Sequence, residues 1–387
     1  MKIEINGRQQ YLSTAGNLDI YNGSLLLLFL PFLPFLSGGV AVKWLGYVGL
    51  LVVFLVLAAA NFRRQRRGEF GAAHWAFLSL LPIGVIGLSA LEVQAFVQIL
   101  QISILSLIIR QAPSLSYTNL AAKFSFGLCL ALSVFFLVDL VYGLNLLSGN
   151  PNLYGVAAFC WVAIMIKCHS ASSIHISHLR ILGISAIPFV VAFASGSRAS
   201  LFAIAIMVAW IELGRLPVVR WFRWLGALLV ICAPIVLLLN INSDVISAAM
   251  ELTPSVGEKH TLSGRDAIWS YIYASVSAND FMGFGLGSTP GDLQNGVNDG
   301  LSAHNGFFQI FYQFGALGFF VYIFVYAFLI KKMHARRDDG VSVSILLGAI
   351  ILEMFEVVMT QNHFGAGLSL WSVATLGIFS INRSEKN

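Results

Sequence analysis

Long apolar runs separated by short polar segments are the feature of this sequence that most restricts its fold. Residues 24–36 read SLLLLFLPFLPFL, and residues 46–60 read GYVGLLVVFLVLAAA. Such runs, extended by their neutral neighbours, can cross the hydrocarbon core of a bilayer, which takes about 20 helical residues. Only 11% of the chain is charged, against about 25% in a soluble domain. The sequence therefore predicts an all-α polytopic membrane protein.

Twelve apolar spans can be delimited in the chain. They are predicted at residues 21–37, 40–61, 72–89, 91–109, 124–147, 153–166, 179–195, 199–213, 224–241, 306–330, 341–359 and 368–381. A polar loop over residues 242–305 separates spans nine and ten. The expected organisation is one integral membrane domain over residues 1–387, with 242–305 as its large extramembrane loop.

Basic residues are distributed unevenly around these spans. If the N-terminus is cytoplasmic, all but four of the 23 lysines and arginines fall on the cytoplasmic side, as the positive-inside rule requires. The four exceptions are Lys43, Arg198, Lys259 and Arg265. The distribution predicts a multi-pass protein with both termini in the cytoplasm and the loop 242–305 on the outer face.

Two of the outer arginines stand in small-residue contexts. Arg198 lies in SGSRASL (195–201), between two spans, and Arg265 lies in SGRDAIWSYI (263–272). In the second motif Ser263 and Asp266 predict a helix start, which would place Arg265 in the first turn. Guanidinium groups bind phosphate oxygens bidentately, so both arginines are candidate ligands for an anion. The alternatives are an interfacial arginine whose side chain reaches for water and a solvated loop arginine.

His304 opens the tenth span, directly before Asn305 and Gly306. Histidine is the usual general base near neutral pH. Two anion-binding arginines and a base on one side of a membrane predict group transfer from a diphosphate-linked donor to a hydroxyl. Since no nucleotide sugar is expected outside a bacterial inner membrane, the donor should be linked to a lipid.

Several short motifs follow one another along the chain in a recognisable order. They are GNPNLYG at 149–155, SGSRASL at 195–201, SGRDAIWSYI at 263–272, GFGLGS at 283–288, and His304-Asn305 followed after nine residues by Gly315-Ala316-Leu317-Gly318. This order resembles the O-antigen ligase and O-antigen polymerase family of bacterial inner-membrane glycosyltransferases. The resemblance covers most of the C-terminal two thirds, while the N-terminal third adds only apolar spans.

The resemblance implies a membrane glycosyltransferase of the C type. Arg198 and Arg265 would hold the diphosphate of an undecaprenyl-linked glycan, and His304 would deprotonate or orient the acceptor hydroxyl. The implied reaction is an inverting, metal-independent single displacement without a cofactor, at the periplasmic face of the inner membrane. The acidic residues of the loop 242–305 show no ligand-like spacing, which agrees with the absence of a metal site.

The acceptor distinguishes two activities within this family. A ligase transfers O-antigen to lipid A–core in lipopolysaccharide biosynthesis, and this is the first interpretation. A polymerase that transfers to another lipid-linked repeat unit, in O-antigen or exopolysaccharide synthesis, remains open. The expected partners are the lipid-linked donor, lipid A–core or a glycan acceptor, and membrane lipid, with no nucleic acid.

Other polar residues near the outer ends of spans are candidates for substrate binding. They are Asn152, Tyr271, Asn305 and Glu356. Asn152 could equally belong to a turn and helix start, and the aromatic residues Tyr271 and Trp269 could rest at the membrane interface. Because intramembrane carboxylates are functional candidates, Glu356 or Asp139 could pair with Arg198 or orient His304.

Glycines in two motifs predict two further features. Gly315 and Gly318 predict that a neighbouring helix packs closely against the tenth span. The segment GFGLGS at 283–288 lacks the Lys-Ser/Thr of a P-loop. It is expected to be a flexible outer loop that shapes the access of the acceptor.

Two transport functions are distant alternatives. A secondary transporter can have twelve spans and cytoplasmic termini, but the long loop here is neither central nor internal, and no repeat relates the two halves. A flippase for lipid-linked glycan would need basic residues along a transmembrane cavity, and the spans contain almost none.

Overall fold

Within the part of the chain that it describes, a computed structural model shows helices and one short hairpin. It describes residues 2–5, 8–11, 24–37, 71–86, 93–111, 117–143, 151–172, 177–214, 216, 220–241, 265–290, 303–335, 340–358 and 364–376. The predicted span at 40–61 and the predicted cap at Ser263 lie outside these residues. Strand β1 (Lys2–Ile5) pairs antiparallel with β2 (Arg8–Tyr11). The all-α prediction missed this hairpin because it lies in the polar N-terminal segment, before the first span.

The helices follow the apolar runs of the sequence. A 3-10 helix, Leu30–Ser37, continues the helical residues 24–29. The α-helices are α1 (Gly71–Leu78), α2 (Leu80–Ile86), α3 (Val93–Gln111), α4 (Asn119–Tyr142), α5 (Pro151–Ser172), α6 (His178–Ala194), α7 (Arg198–Leu213), α8 (Arg220–Leu239), α9 (Arg265–Ala278), α10 (Gly306–Ala335), α11 (Gly340–Glu353) and α12 (Phe364–Thr375).

Three helical segments of the described chain are long and apolar enough to cross a membrane. They are Asn119–Tyr142, Asn152–Ser170 and Gly306–His334, and shorter apolar helices of 10–17 residues accompany them. Every predicted span other than the second overlaps a helix. The structure is consistent with a helical membrane protein, while the count of twelve spans and the sidedness of the loop 242–305 stay predictions.

Polar residues at the span edges start and end individual helices. Thr118 precedes α4 and accepts a hydrogen bond from the backbone N–H of Ala121 at 3.2 Å, which satisfies a donor that the first turn leaves unpaired. Gly143 ends the same helix with a left-handed φ of 65°, a conformation that glycine adopts without strain. Ser177 caps α6 through the N–H of Arg180.

The centre of the bundle is formed by α5, α7 and α11. Gly348 of α11 lies where the other two helices meet, because a Cβ added there would be 2.6 Å from Cζ of Phe159 and 2.9 Å from the carbonyl of Ala203. Only a residue without a side chain admits this approach. The three helices are thereby fixed in depth relative to one another.

Contacts at the two ends of α5 give the relative directions of these helices. Near its start, Asn152 donates from Nδ2 to Oε1 of Glu356 at 2.9 Å. Near its end, Lys167 donates from Nζ to Oγ of Ser342, and Lys167 is fully buried. Helix α5 therefore runs antiparallel to α11. The predicted span ended at residue 166, but α5 continues to Ser172 and places Lys167 within the bundle.

The start of α7 lies beside the start of α5. A Cβ added at Gly155 would be 2.3 Å from Cβ of Ser197 and 2.4 Å from its Oγ, so the backbone of α5 packs against the Ser197 side chain there. Together with the contacts of Gly348, this makes α5 and α7 parallel. The starts of α5 and α7 and the end of α11 thus share one end of the bundle, which we call the site end.

Helix α10 is broken at Gly315, whose φ of 66° and ψ of −165° are not helical. Only glycine occupies this region readily. A segment of the preceding chain fills the break: Ala316 donates its N–H to the carbonyl of Phe281 at 3.0 Å, and Phe284 donates to the carbonyl of Tyr312 at 2.9 Å. A Cβ at Gly315 would be 2.3 Å from the carbonyl oxygen of Phe281. The glycine therefore admits a backbone segment and not the neighbouring helix that was predicted.

The GFGLGS segment is fixed inside the bundle, contrary to the prediction of a flexible outer loop. Gly287 donates its N–H to Oε1 of Gln98 at 2.6 Å, and Gln98 donates to Oε1 of Gln313 at 2.5 Å. The carbonyl of Ser288 accepts from Gln309 at 3.1 Å and from Gln313 at 2.9 Å. All three glutamines are buried. The prediction was wrong because these partners lie far away in the sequence, on α3 and α10.

Candidate active site

Arg265 is the first residue of α9 and forms an ion pair at the site end. Its Nη2 donates to Oε1 of Glu356 at 3.2 Å, and Asn152 donates to the same oxygen. The Glu356 side chain is only 5% exposed, whereas that of Arg265 is 19% exposed. Charge-assisted bonds of this kind are stronger than neutral ones. The structure thus brings together three of the predicted site residues and shows that Glu356 contacts Arg265.

Arg198 is the first residue of α7 and is partly exposed. The turn before it contains Gly196 with a φ of 67° and Ser197, whose Oγ donates to Oγ of Ser200 at 2.9 Å. Helices α7 and α11 run antiparallel, and Ala203 of α7 contacts Gly348 of α11. Arg198 precedes Ala203 by about as many residues as separate Gly348 from the C-terminal end of α11, so Arg198 lies at about the depth of that end. It therefore lies at the site end, as Arg265 does.

His304 has a left-handed φ of 47° immediately before α10. The residue before it is held on both sides: the carbonyl of Ala303 accepts from Nε1 of Trp269 at 2.8 Å, and its N–H donates to Oε1 of Gln309 at 3.4 Å. A positive φ at a residue with a side chain is uncommon and persists only where its surroundings impose it. These contacts hold the backbone from which the His304 side chain extends.

Asn305 caps α10 and is fully buried. Its Oδ1 accepts from the N–H of Phe308 at 3.0 Å, and its Nδ2 donates to the carbonyl of Met354 at 2.8 Å. Both ends of the amide are therefore engaged within the protein, as expected of an N-cap residue. The described contacts of Asn305 are structural, and its role as a substrate contact stays a prediction.

Electrostatics near His304 favour its neutral form. Burial lowers the pKa of His304 below the usual value, and the positive charge of Arg265 lowers it further. Both effects disfavour the imidazolium. A neutral imidazole can accept a proton, so His304 is suited to act as a base at neutral pH.

The two aromatic candidates on α9 lie in different surroundings. Trp269 is fully buried and stacks on Phe308, with ring centroids 5.2 Å apart, so it belongs to the core. Tyr271 is half-buried and lies about 120° around the helix from Arg265, given 3.6 residues per turn. The structure does not place Tyr271 on the face of α9 that carries Arg265, and its role as a substrate contact stays a prediction.

Two buried carboxylates near the site have tyrosine partners that sequence reasoning did not identify. Oε2 of Glu353 accepts from the hydroxyls of Tyr322 at 2.7 Å and Tyr326 at 3.3 Å, while Asp139 accepts from the hydroxyl of Tyr154. The spacing of Tyr322 and Tyr326 by one helical turn within an apolar span was a signal that could have indicated a shared acceptor.

Helix starts add positive potential at the site end. Helices α5 and α7 begin there, α9 begins at Arg265 beside Glu356, and α10 begins at Gly306, where a Cβ would lie 3.1 Å from the carboxylate carbon of Glu353. Each helix start carries a partial positive charge of about half an elementary charge. The end of α11, which carries the opposite partial charge, and the carboxylates of Glu353 and Glu356 lie at the same end. The charges of Arg198 and Arg265 are therefore what make the site end suitable for an anionic group.

Metal-ligating side chains do not cluster in the described residues: no group of three or more His, Cys, Asp or Glu side chains there could hold a metal ion.

Comparison with known proteins agrees with this geometry. Residues 183–323 match the family model described as O-antigen ligase, and this segment contains Arg198, Arg265 and His304. No curated protein and no solved structure matches the chain. The resemblance seen in the sequence motifs is thereby confirmed, and the segment 183–323 belongs to the O-antigen ligase family.

Proposed function

We propose that the protein transfers a glycan from an undecaprenyl-diphosphate-linked donor to an acceptor hydroxyl, most specifically O-antigen to lipid A–core in lipopolysaccharide biosynthesis. The observation that carries the proposal is the position of Arg198, Arg265 and His304 at one end of a helical bundle, where burial and Arg265 lower the pKa of His304. The family match over residues 183–323 supports the same class of reaction.

The donor's diphosphate would lie between the two arginines. Guanidinium groups fit phosphate oxygens bidentately, and the helix starts at the site end add to the positive potential. As the glycan leaves, negative charge increases on the diphosphate. Fixed positive groups stabilise that charge in the transition state, so the arginines would act on the rate as well as on donor binding. In this proposal no divalent cation and no cofactor is needed.

His304 would act on the acceptor. The acceptor oxygen attacks the anomeric carbon of the donor while the bond from that carbon to the diphosphate oxygen breaks. The electron pair of that bond leaves with the undecaprenyl diphosphate, and the hydroxyl proton passes to a ring nitrogen of His304. A single displacement of this kind inverts the anomeric configuration.

The apolar surface of the bundle is compatible with a lipid-linked donor. Helix α4 exposes large apolar side chains such as Phe124, Phe135 and Val141, as expected of a surface that faces acyl chains. In the proposed orientation the polyprenyl tail stays in the inner membrane, and the site end faces the periplasm, where the acceptor arrives. Both termini would then be cytoplasmic.

The lipopolysaccharide of a deletion strain tests the proposal. Loss of all long-chain glycan from lipid A–core, with accumulation of lipid-linked polymer, is the result expected for a ligase. A single repeat unit left on core would instead identify an O-antigen polymerase, the alternative that the same family resemblance leaves open. Unchanged lipopolysaccharide and unchanged exopolysaccharide would overturn the assignment to either activity.

A further inference from the structure

The Arg265 guanidinium is held on one side only. Its Nη2 donates to Oε1 of Glu356 at 3.2 Å, and within the described part of the chain its other N–H groups make no further hydrogen bond. Glu356 therefore holds one nitrogen of the guanidinium and leaves its remaining N–H groups available to a ligand. A carboxylate in this position would repel a diphosphate if it faced the donor directly, so its contact with Arg265 suggests a supporting role.

Asn152 fixes Glu356 in turn. Its Nδ2 donates to the same carboxylate oxygen at 2.9 Å, so the direction of that oxygen is determined by two donors. Asn152 lies in the first turn of α5. Glu356, which contacts Arg265, is therefore hydrogen-bonded to the start of α5, and the residues that follow in α5 are almost entirely buried.

The same turn of α5 also contacts Ser197, the residue before Arg198. Gly155 lies one turn after Asn152, and its backbone is so close to Ser197 that a Cβ there would lie 2.3 Å from Cβ of Ser197. Arg198 directly follows Ser197. One turn of α5 thus contacts the carboxylate that holds Arg265 and the residue that precedes Arg198.

We propose that Asn152 and Glu356 are positioning residues that hold Arg265 at the separation from Arg198 that a diphosphate requires. This inference rests on the proposed function. Neither residue contacts the substrate; both act through Arg265. A bidentate site depends on the orientation of its fork, and a side chain that is held before binding loses less conformational entropy when the donor binds. Their loss is therefore expected to weaken donor binding.

Substitution of Glu356→Gln keeps the shape of the side chain and removes its charge. We expect the KM for the lipid-linked donor in nanodiscs to rise about 10-fold, in line with the cost of ordering one long side chain, with a smaller change in kcat. Asn152→Ala removes only the second donor and should raise the donor KM about threefold. This second variant tests the same idea if Glu356→Gln does not fold. Both are compared with Glu212→Gln, whose carboxylate pairs with His178 at the other end of α7 and whose donor KM should not change.

A double substitution separates positioning from general stability. Asn152→Asp alone places two carboxylates together and should raise the donor KM. Asn152→Asp with Glu356→Gln restores one amide, one carboxylate and a hydrogen bond between them, but the amide nitrogen that donates to the new carboxylate takes the place of the oxygen that accepts from Arg265. If the pair positions Arg265, the double variant should recover the melting temperature while the donor KM stays raised. A purely structural role predicts that the donor KM recovers together with the melting temperature.

Two outcomes overturn the inference. The first is an unchanged donor KM in folded Glu356→Gln or, if that variant does not fold, in Asn152→Ala. The second is a double variant that regains both the melting temperature and the donor KM. If Arg265→Ala also leaves transfer unchanged, the proposed function fails as well. If Arg265→Ala abolishes transfer while Glu356→Gln does nothing, only the positioning role is wrong.

Discussion

The indole N–H of Trp269 donates to the backbone carbonyl of Ala303 at 2.8 Å. Trp269 lies one turn after Arg265 on α9, and Ala303 directly precedes His304. The bond therefore connects the helix that presents the arginine to the segment that presents the histidine. Because Trp269 is fully buried, this connection is shielded from water, and it anchors the backbone before His304 to the helix that carries Arg265.

Removal of either arginine should abolish most of the transfer. Arg198→Ala and Arg265→Ala each delete a bidentate partner of the diphosphate, so we expect transfer to fall by about 10²–10³-fold, as for other transition-state charge contacts. Lysine at either position should restore activity only in part, because it lacks the planar fork. Purified variants in nanodiscs give the measurement, with size-exclusion profiles as a control for folding. Near-normal transfer by both alanine variants would show that the diphosphate lies elsewhere.

Substitution of His304 should separate chemistry from donor binding. His304→Ala is expected to lower kcat by about 10²–10⁴-fold, the range of general-base assistance, while donor affinity survives because the arginines supply it. His304→Gln keeps a hydrogen bond without basicity and should stay nearly as impaired. Single-turnover rates and donor binding are measured for both. Full turnover in the glutamine variant would assign His304 to positioning, and the base would have to be sought at Glu356 or Asp139.

The pH dependence of kcat/KM should reflect the lowered pKa of His304. Reaction requires the neutral imidazole, and activity therefore falls as the pH decreases through that pKa. Since burial and Arg265 both lower it, the midpoint of the acidic limb should lie below the usual histidine value of about 6.5. The residual activity of His304→Ala should lack this limb. A midpoint above 6.5 would contradict the electrostatic description of the site.

Alanine at Gly315 should destabilise the protein. It would place a side chain in a glycine-only backbone conformation and 2.3 Å from the carbonyl of Phe281, so a loss of about 2–5 kcal/mol is expected from strain and clash together. The melting temperature in detergent reports this loss. Gly183→Ala in α6 is the matched control, because a Cβ there meets no atom within 4 Å and should be tolerated. Equal melting temperatures of the two variants would argue against the break in α10.

The sidedness of the site can be tested by cysteine labelling. A cysteine at Gly296 should react with a membrane-impermeant thiol reagent in intact spheroplasts, and one at Arg66 should not, because the positive-inside rule places them on opposite sides. Labelling after permeabilisation is the control for both. The reverse pattern would move the site end to the cytoplasm.

The sequence was sufficient to predict that the main site residues lie at one end of the bundle. Arg198, His304 and Glu356 each lie where an apolar span begins or ends, and the alternation of spans across a membrane assigns those ends to one side. This required only hydropathy and the distribution of charge. The resemblance to a family then supplied the roles.

The partners of these residues could not be predicted in the same way. Glu356 contacts Arg265 and Asn152 through packing between helices that are distant in sequence, and hydropathy carries no information about which helices are neighbours. The break at Gly315 was missed for a related reason. Residues 306–330 have the composition of one continuous helix, and the segment at 281–285 that opens it is an earlier part of the chain.

The order of synthesis has a consequence for the broken helix. In a bilayer every backbone N–H or C=O without a partner costs several kcal/mol, and a helix that breaks within hydrocarbon would expose such groups as soon as it inserted. Residues 281–285, which bond to Tyr312, Gln313 and Ala316, leave the ribosome before α10 does. When α10 is synthesised, the residues that bond to the groups around its break have therefore already been synthesised, and α10 can bend as it enters the membrane.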